Sequence, residues 1–232
     1  FVFEHKFNME VGDGDRKQLM SGTIDRVDIC ENGTDVYVRI IDYKTGKKDF
    51  NIVKTYYGID IQLMVYMEAA MKLVAKMRPG KNVIPAGVFY YNISDPIVSA
   101  TTESAEEIED KIKGELRLKG MVNSDKDIAE KMDNTEGTSL NIPVSRKADG
   151  GFDSRRSKVM NTEQFNILGR FVDVRAIDTA DRIVGGDIRR SPYKDGQFSS
   201  CDRCPYGAVC GFSVDLPGCN YRKLKKFDDE VL

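Results

Sequence analysis

The segment Asp35-Val36-Tyr37-Val38-Arg39-Ile40-Ile41-Asp42-Tyr43-Lys44 ends on an acid and a base two residues apart. β-Branched and aromatic residues crowd it, so it reads as a strand. Side chains two apart on a strand share a face, which sends Asp42 and Lys44 one way and Ile41 and Tyr43 the other. Asn32 and Gly33 mark the preceding turn, and Leu19 to Cys30 reads as the antiparallel partner strand. Asp25 on that partner then faces Asp42 across the hairpin. Two carboxylates at close range repel each other unless a cation sits between them. A hard ion such as Mg2+ takes one or two carboxylates together with water and substrate phosphate. Lys44, beside such an ion, can orient a water or offset charge on a phosphate. On spacing alone, an Asp-x-Lys at a strand end is more often a solvated edge. Arg26 with Asp28 reads as a surface ion pair.

Outward from this hairpin, Phe1–Glu10 reads as a further strand and Gly46 to Phe50 as a polar turn. Ile59 to Met77 has helical spacing, with Ile59, Leu63, Tyr66, Ala70, Leu73 and Met77 on one side. Gln62 and Tyr66, four apart, share a helix face; a tyrosine so placed is normally core packing. Val83–Ile93 is apolar enough for a buried central strand. Glu103–Leu118 reads as a charged helix, acidic first and basic last, an order that complements the helix dipole. Residues 120–160 are polar and read as an inserted loop or hairpin. Thr162 to Val184 reads as a long helix with Phe165, Leu168, Phe171, Val172, Ile177 and Ile183 on its apolar side. The predicted organisation is an α/β core over residues 1–190 with a loop-rich, cysteine-containing tail over 191–232.

Read in order, Gly22-x-Ile24-Asp25-Arg26-Val27-Asp28, Ile41-Asp42-Tyr43-Lys44-Thr45-Gly46 and Gln62-x-x-x-Tyr66 resemble the signature of the PD-(D/E)XK nuclease superfamily, in its RecB-like branch. Tyr56-Tyr57-Gly58, Pro85 to Tyr91, Asp95-Pro96, Lys119-Gly120, Ser191-Pro192-Tyr193 and Leu216-Pro217-Gly218-x-x-Tyr221-Arg222 extend the resemblance over almost the whole chain. In order and spacing it is similar to the C-terminal nuclease domains of AddB-type subunits. That resemblance implies a restriction-endonuclease-like fold, a mixed central sheet flanked by helices. It implies a DNA exonuclease dependent on Mg2+ or Mn2+, acting in the processing of double-strand breaks for recombination. Asp25 and Asp42 correspond to metal ligands, the Tyr43 carbonyl to a neighbouring ligand and Lys44 to the catalytic lysine. Gln62 and Tyr66 correspond to groups that position the metal site and the strand. The implied partners are a single-stranded DNA end, cut with 5′ polarity, and an AddA-type helicase–nuclease subunit. The superfamily's usual acidic or histidine ligand upstream has no counterpart before Gly22; Glu4 and His5 are near but stay outside the catalytic set. A chain opening at Phe1 reads as a fragment. The alternatives are a non-catalytic DNA-binding or structural module and a protein whose main role is to bind zinc.

Of the five cysteines, Cys201, Cys204, Cys210 and Cys219 follow the spacing C-x2-C-x5-C-x8-C. No signal peptide or membrane-spanning run is visible, so the expected location is cytoplasmic, where clustered cysteines suggest metal rather than disulfides. Four-cysteine zinc and iron–sulfur sites both fit that count. The AddB resemblance implies a 4Fe–4S cluster held by Cys201, Cys204 and Cys210, with its fourth ligand far upstream. That cluster is expected to be incomplete in this chain, because Cys30 matches no ligand. A net charge of −2 argues mildly against nucleic-acid binding. Local basic clusters remain at Arg146-Lys147, Arg155-Arg156-x-Lys158, Arg189-Arg190 and Arg222-Lys223-x-Lys225-Lys226. Each alone reads as a solvated loop. No phosphate-cradling G-x4-G-K-[ST] loop occurs, so ATP hydrolysis is not expected of this chain.

Overall fold

The computed structural model describes residues 1–12, 14, 17–98 and 104–225. Glu103, at the expected start of the charged helix, and Lys226 lie outside them. The elements run β1 (Val2–Val11), β2 (Gln18–Asn32), β3 (Asp35–Lys44), α1 (Ile52–Tyr56), α2 (Gln62–Met77), β4 (Asn82–Asn92), α3 (Ala105–Leu116) and β5 (Lys119–Asn123). They continue α4 (Lys126–Met132), β6 (Val159–Met160), α5 (Thr162–Val184), β7 (Tyr193–Asp195), β8 (Phe198–Ser199), α6 (Gly207–Cys210) and β9 (Arg222–Lys223). The first six strands form one mixed sheet in sequence order, antiparallel from β1 to β3, with β4 parallel to β3 and antiparallel to β5. β6 is parallel to β5.

The parallel β3–β4 pair requires a crossover, and α1 and α2 provide it. α2 thereby lies on one face of the sheet, where Leu63, Met64, Met67 and Val74 pack with Val38, Ile40, Val88 and, from α5, Phe165, Leu168 and Val172. Pro85 sits within β4 although proline cannot donate to a ladder. The register shifts there, from Val38–Pro85 to Arg39–Gly87, so the proline occupies an irregularity in the pairing. Asn123 donates to the Pro85 carbonyl at 2.7 Å, tying β5 to the same point.

Four differences from the sequence expectations have physical causes. Ile59 does not begin α2. Gly58, at φ 73°, lets its own N–H return to Thr55 and that of Ile59 to Lys54, closing the short α1 before α2 starts at Gln62. Residues 120–160 supply more than a loop: β5 extends the sheet, and Ile142, Val144 and Ala129 form a second core with Ile41, Phe89 and Val122. The fully buried residues of α5 end at Val172 and its core contact ends with the partly buried Ile177, so Ile183 is 73% exposed. Asp28 is 7% exposed and accepts from Arg26 and Arg39, each at 2.7 Å. The flanking guanidiniums offset the cost of covering this carboxylate.

The loop after α4 is organised by Asp133, which accepts from Thr135 N, Ser139 Oγ and Asn141 Nδ2 at 2.7–2.8 Å. Burial alone would raise this carboxyl, but those hydrogen bonds outweigh it and hold the group at about 2. A depressed pKa contributes stability above the unfolded value of 3.8, lost as pH falls through about 2. Allowing for solvent around the loop, that contribution is about 1–2 kcal/mol. Asp133→Asn should destabilise the protein by about 2 kcal/mol at pH 7. Urea unfolding of both proteins should show the gap narrowing from pH 4 to pH 2, and a constant gap would refute the linkage.

Candidate active site

The site forms at the end of β3, where α2 begins. Asp42 is 2% exposed. Its Oδ1 accepts from Gln62 Nε2 at 3.2 Å, and the same amide nitrogen donates to the Tyr66 hydroxyl at 2.9 Å. Gln62 and Tyr66 are successive on one helix face, so the tyrosine fixes which end of the amide meets the acid. Tyr66 packs edge-on against Phe7, ring centroids 5.8 Å apart. That contact needs a glycine opposite: a Cβ on Gly22 would stand 2.9 Å from the Phe7 ring and 3.4 Å from that of Tyr66.

Asp25 reaches the site by a break in alternation. Ile24 and Val27 are three apart yet both fully buried in the core beneath α2, so the strand changes sense across Asp25 and Arg26. On β1 the ladder omits Glu4, which has φ 49°, a conformation unusual for a residue with a side chain. Asp25 Oδ2 accepts from the Tyr43 N–H at 2.8 Å, holding the backbone next to Asp42. The Tyr43 ring lies edge-on to Tyr91, at 5.8 Å, among the second core.

Lys44 places its ammonium against Asp42 Oδ2. That oxygen is buried and, among the described residues, has no hydrogen-bond partner beyond this ion pair. Burial pushes the Asp42 carboxyl above its ordinary range; Lys44 opposes this, and the charge of Asp25 adds to it. A covered carboxylate with one under-satisfied oxygen and a second carboxylate nearby is short of positive charge. These groups fit a hard divalent cation, which accepts two carboxylates and leaves other positions to water and substrate.

Three residues not anticipated from the sequence extend the site. The Tyr90 hydroxyl donates to Asp60 Oδ1 at 2.8 Å, and Lys48 Nζ lies 3.0 Å from Asp60 Oδ2. Lys44 and Lys48 stand 5.7 and 5.4 Å from the centroid of the Tyr90 ring. Burial first, then the Asp60 charge, keeps the Tyr90 phenol protonated far above its ordinary range. The available signal was a tyrosine inside an apolar strand, whose hydroxyl needs a partner.

The cysteines behave differently. Cys201, Cys204, Cys210 and Cys219 are free thiols in the tail. Among the described residues, no three His, Cys, Asp or Glu side chains converge to hold a metal.

A central strand that ends in Asp-x-Lys, beneath a crossover helix whose glutamine reaches back to the acid, is the architecture of a nuclease core. Residues 2–211 match the PD-(D/E)XK nuclease superfamily, and the chain belongs to that family. It is 37% identical over 213 residues to an ATP-dependent helicase/deoxyribonuclease subunit of Thermoanaerobacter sp. (strain X514), covering 91% of this chain and 18% of the relative. The protein of the same name from Clostridium tetani (strain Massachusetts / E88) is 38% identical over 227 residues, or 97% of this chain and 20% of the relative. The chain thus spans about a fifth of the length of the curated relatives it matches. Among the described residues, no helix is long and apolar enough to cross a membrane.

Proposed function

We propose that this chain is the nuclease domain of an AddB-type subunit, a deoxyribonuclease that degrades single-stranded DNA from an end with Mg2+ or Mn2+. The observation that carries this reading is Asp42, almost wholly buried with Oδ2 met, among the described residues, by the Lys44 ammonium. Asp42 and Asp25, with the adjacent Tyr43 carbonyl, would hold the cation. When bound, it supplies charge for the scissile phosphate and lowers the pKa of a water nucleophile. Gln62 holds the Asp42 carboxylate in one orientation, and Tyr66 holds Gln62. Lys44, which lies against Asp42, would face the phosphate and stabilise its developing charge. Asp60 keeps Lys48 at the rim of the site, where it adds to the positive field. The tail cysteines have no part in these steps.

The biological setting extends the same reading: cytoplasmic processing of double-strand breaks, with an AddA-type subunit cutting the other strand and this domain cutting with 5′ polarity. Linear and covalently closed circular single-stranded DNA separate cutting from an end from internal cutting. Degradation of the linear form with Mg2+, with circles left intact, supports the exonuclease. Cutting of circles would make the domain an endonuclease. Metal-independent binding with no cutting of either would favour a non-catalytic module.

A further inference from the structure

A second charged feature lies in the tail, where the C-terminal turns of α5, residues 188–191, residues 217–219 and β9 enclose an open cleft of about 1010 Å3. Arg182, Arg189, Arg190 and Arg222 line it, against one lining acid, Asp178. Arg182 and Arg189 share Asp187, at 2.8 and 2.6 Å. Arg189 first, then Arg182, holds that carboxyl well below the ordinary range. Arg190 is held differently: its Nη1 donates to the carbonyls of Cys210 and Gly211, at 3.3 and 3.0 Å. Arg222 Nε donates to the Ser191 carbonyl at 3.0 Å. Neutral acceptors orient these two forks without cancelling their charge. In a chain of net charge −2 this is a concentration of positive charge at one place.

We propose that this cleft binds the phosphodiester backbone of single-stranded DNA and guides the strand at the nuclease site. Guanidinium forks suit phosphate oxygens and bind them in pairs. The cleft is open and much larger than one phosphate, which suits a polymer. Exposed Ile188, 92% accessible, and Pro217 give an apolar wall for bases. The tail is fastened beside the active site: Lys54 pairs with Asp195 at 3.4 Å, and the Lys225 N–H donates to the Tyr57 hydroxyl at 3.1 Å. Tyr57 directly follows α1, three residues before Asp60 of the site. The direction of guidance rests on the nuclease reading; the affinity of the cleft for the strand does not.

The test is fluorescence anisotropy of a labelled oligothymidylate with the 232-residue chain in EDTA, across a salt series. Arg190→Gln with Arg222→Gln should weaken binding about tenfold and reduce the magnitude of the log–log salt slope by about 1.4, two contacts at ~0.7 each. Ser191→Asp, which leaves both guanidiniums and their carbonyl bonds in place, should weaken binding in the same direction. Hydrolysis of bis(p-nitrophenyl) phosphate with Mn2+, a diester too small to span cleft and site, should be unchanged in the arginine and serine variants. Wild-type affinity and slope in both sets of cleft variants would overturn the proposal, as would capture of an acidic peptide in preference to DNA. Failure of the wild type to hydrolyse the small diester would instead overturn the nuclease reading and leave the binding result standing.

Discussion

Asp42→Asn should lower Mg2+-dependent cleavage of single-stranded DNA by about 10^3-fold or more, equivalent to ~4 kcal/mol of transition-state stabilisation. The substitution keeps the shape of the side chain, and its amide oxygen can still accept from Gln62 Nε2, the bond now made at 3.2 Å. What disappears is the charge that would hold the cation. The same change should not harm the fold. Burial raises the Asp42 pKa, so without metal the ionised acid opposes folding at neutral pH, increasingly as pH rises above its unfolded value of 3.8. In EDTA the variant should melt at or above the wild-type temperature, the pattern of a site in which function is held against stability. A variant that melts lower and cleaves normally would remove Asp42 from the catalytic centre.

Gly120→Ala should be the most damaging small substitution for the fold. Gly120 pairs with Phe89 where β5 joins β4. A Cβ there would stand 1.9 Å from the Val88 carbonyl oxygen and 2.9 Å from Phe89 Cα. Both obstacles are backbone of a central strand, so relief requires β5 to move away from the sheet. That movement would also open the core of Phe89, Val122, Ile142 and Val144. A loss of about 3 kcal/mol or more is expected, read as a fall in urea midpoint or a failure to fold. Gly114→Ala is the contrast: its Cβ meets nothing within 4 Å, and on helix α3 it should add up to about 1 kcal/mol. Equal midpoints for the two variants would contradict the close approach at Gly120.

Periodicity made much of the fold legible. β1 to β4 show strand composition, and α2 and α5 show helical spacing over most of their lengths. Asp42 and Lys44 share a face because period two holds throughout β3, and they do meet. Gln62 and Tyr66 meet because helical spacing puts them there. Asp25 lies on the neighbouring strand as expected, but alternation alone could not place its side chain, because Ile24 and Val27 turn the same way. Tyr90, Asp60 and Lys48 come from three separate segments, and no local pattern joins residues so far apart in the chain. The polar stretch 120–160 conceals structure for a related reason: β5 is only five residues long, and Ile142 and Val144 find their core across the sheet. The spacing of the tail cysteines suggested a shared metal, but spacing does not fix loop geometry, and among the described residues no three His, Cys, Asp or Glu side chains come together as a ligand set.

The central claim is that the groups at the end of β3 perform phosphodiester hydrolysis. Lys44 tests it most directly, since its ammonium is the cation lying against the buried Asp42 oxygen. Cleavage of end-labelled single-stranded DNA by wild type and Lys44→Ala should be followed with Mg2+ and again with EDTA. The expected result is rapid degradation by the wild type with Mg2+, none with EDTA, and a rate lower by about 10^2-fold or more for the variant. Equal rates for wild type and Lys44→Ala would contradict the account.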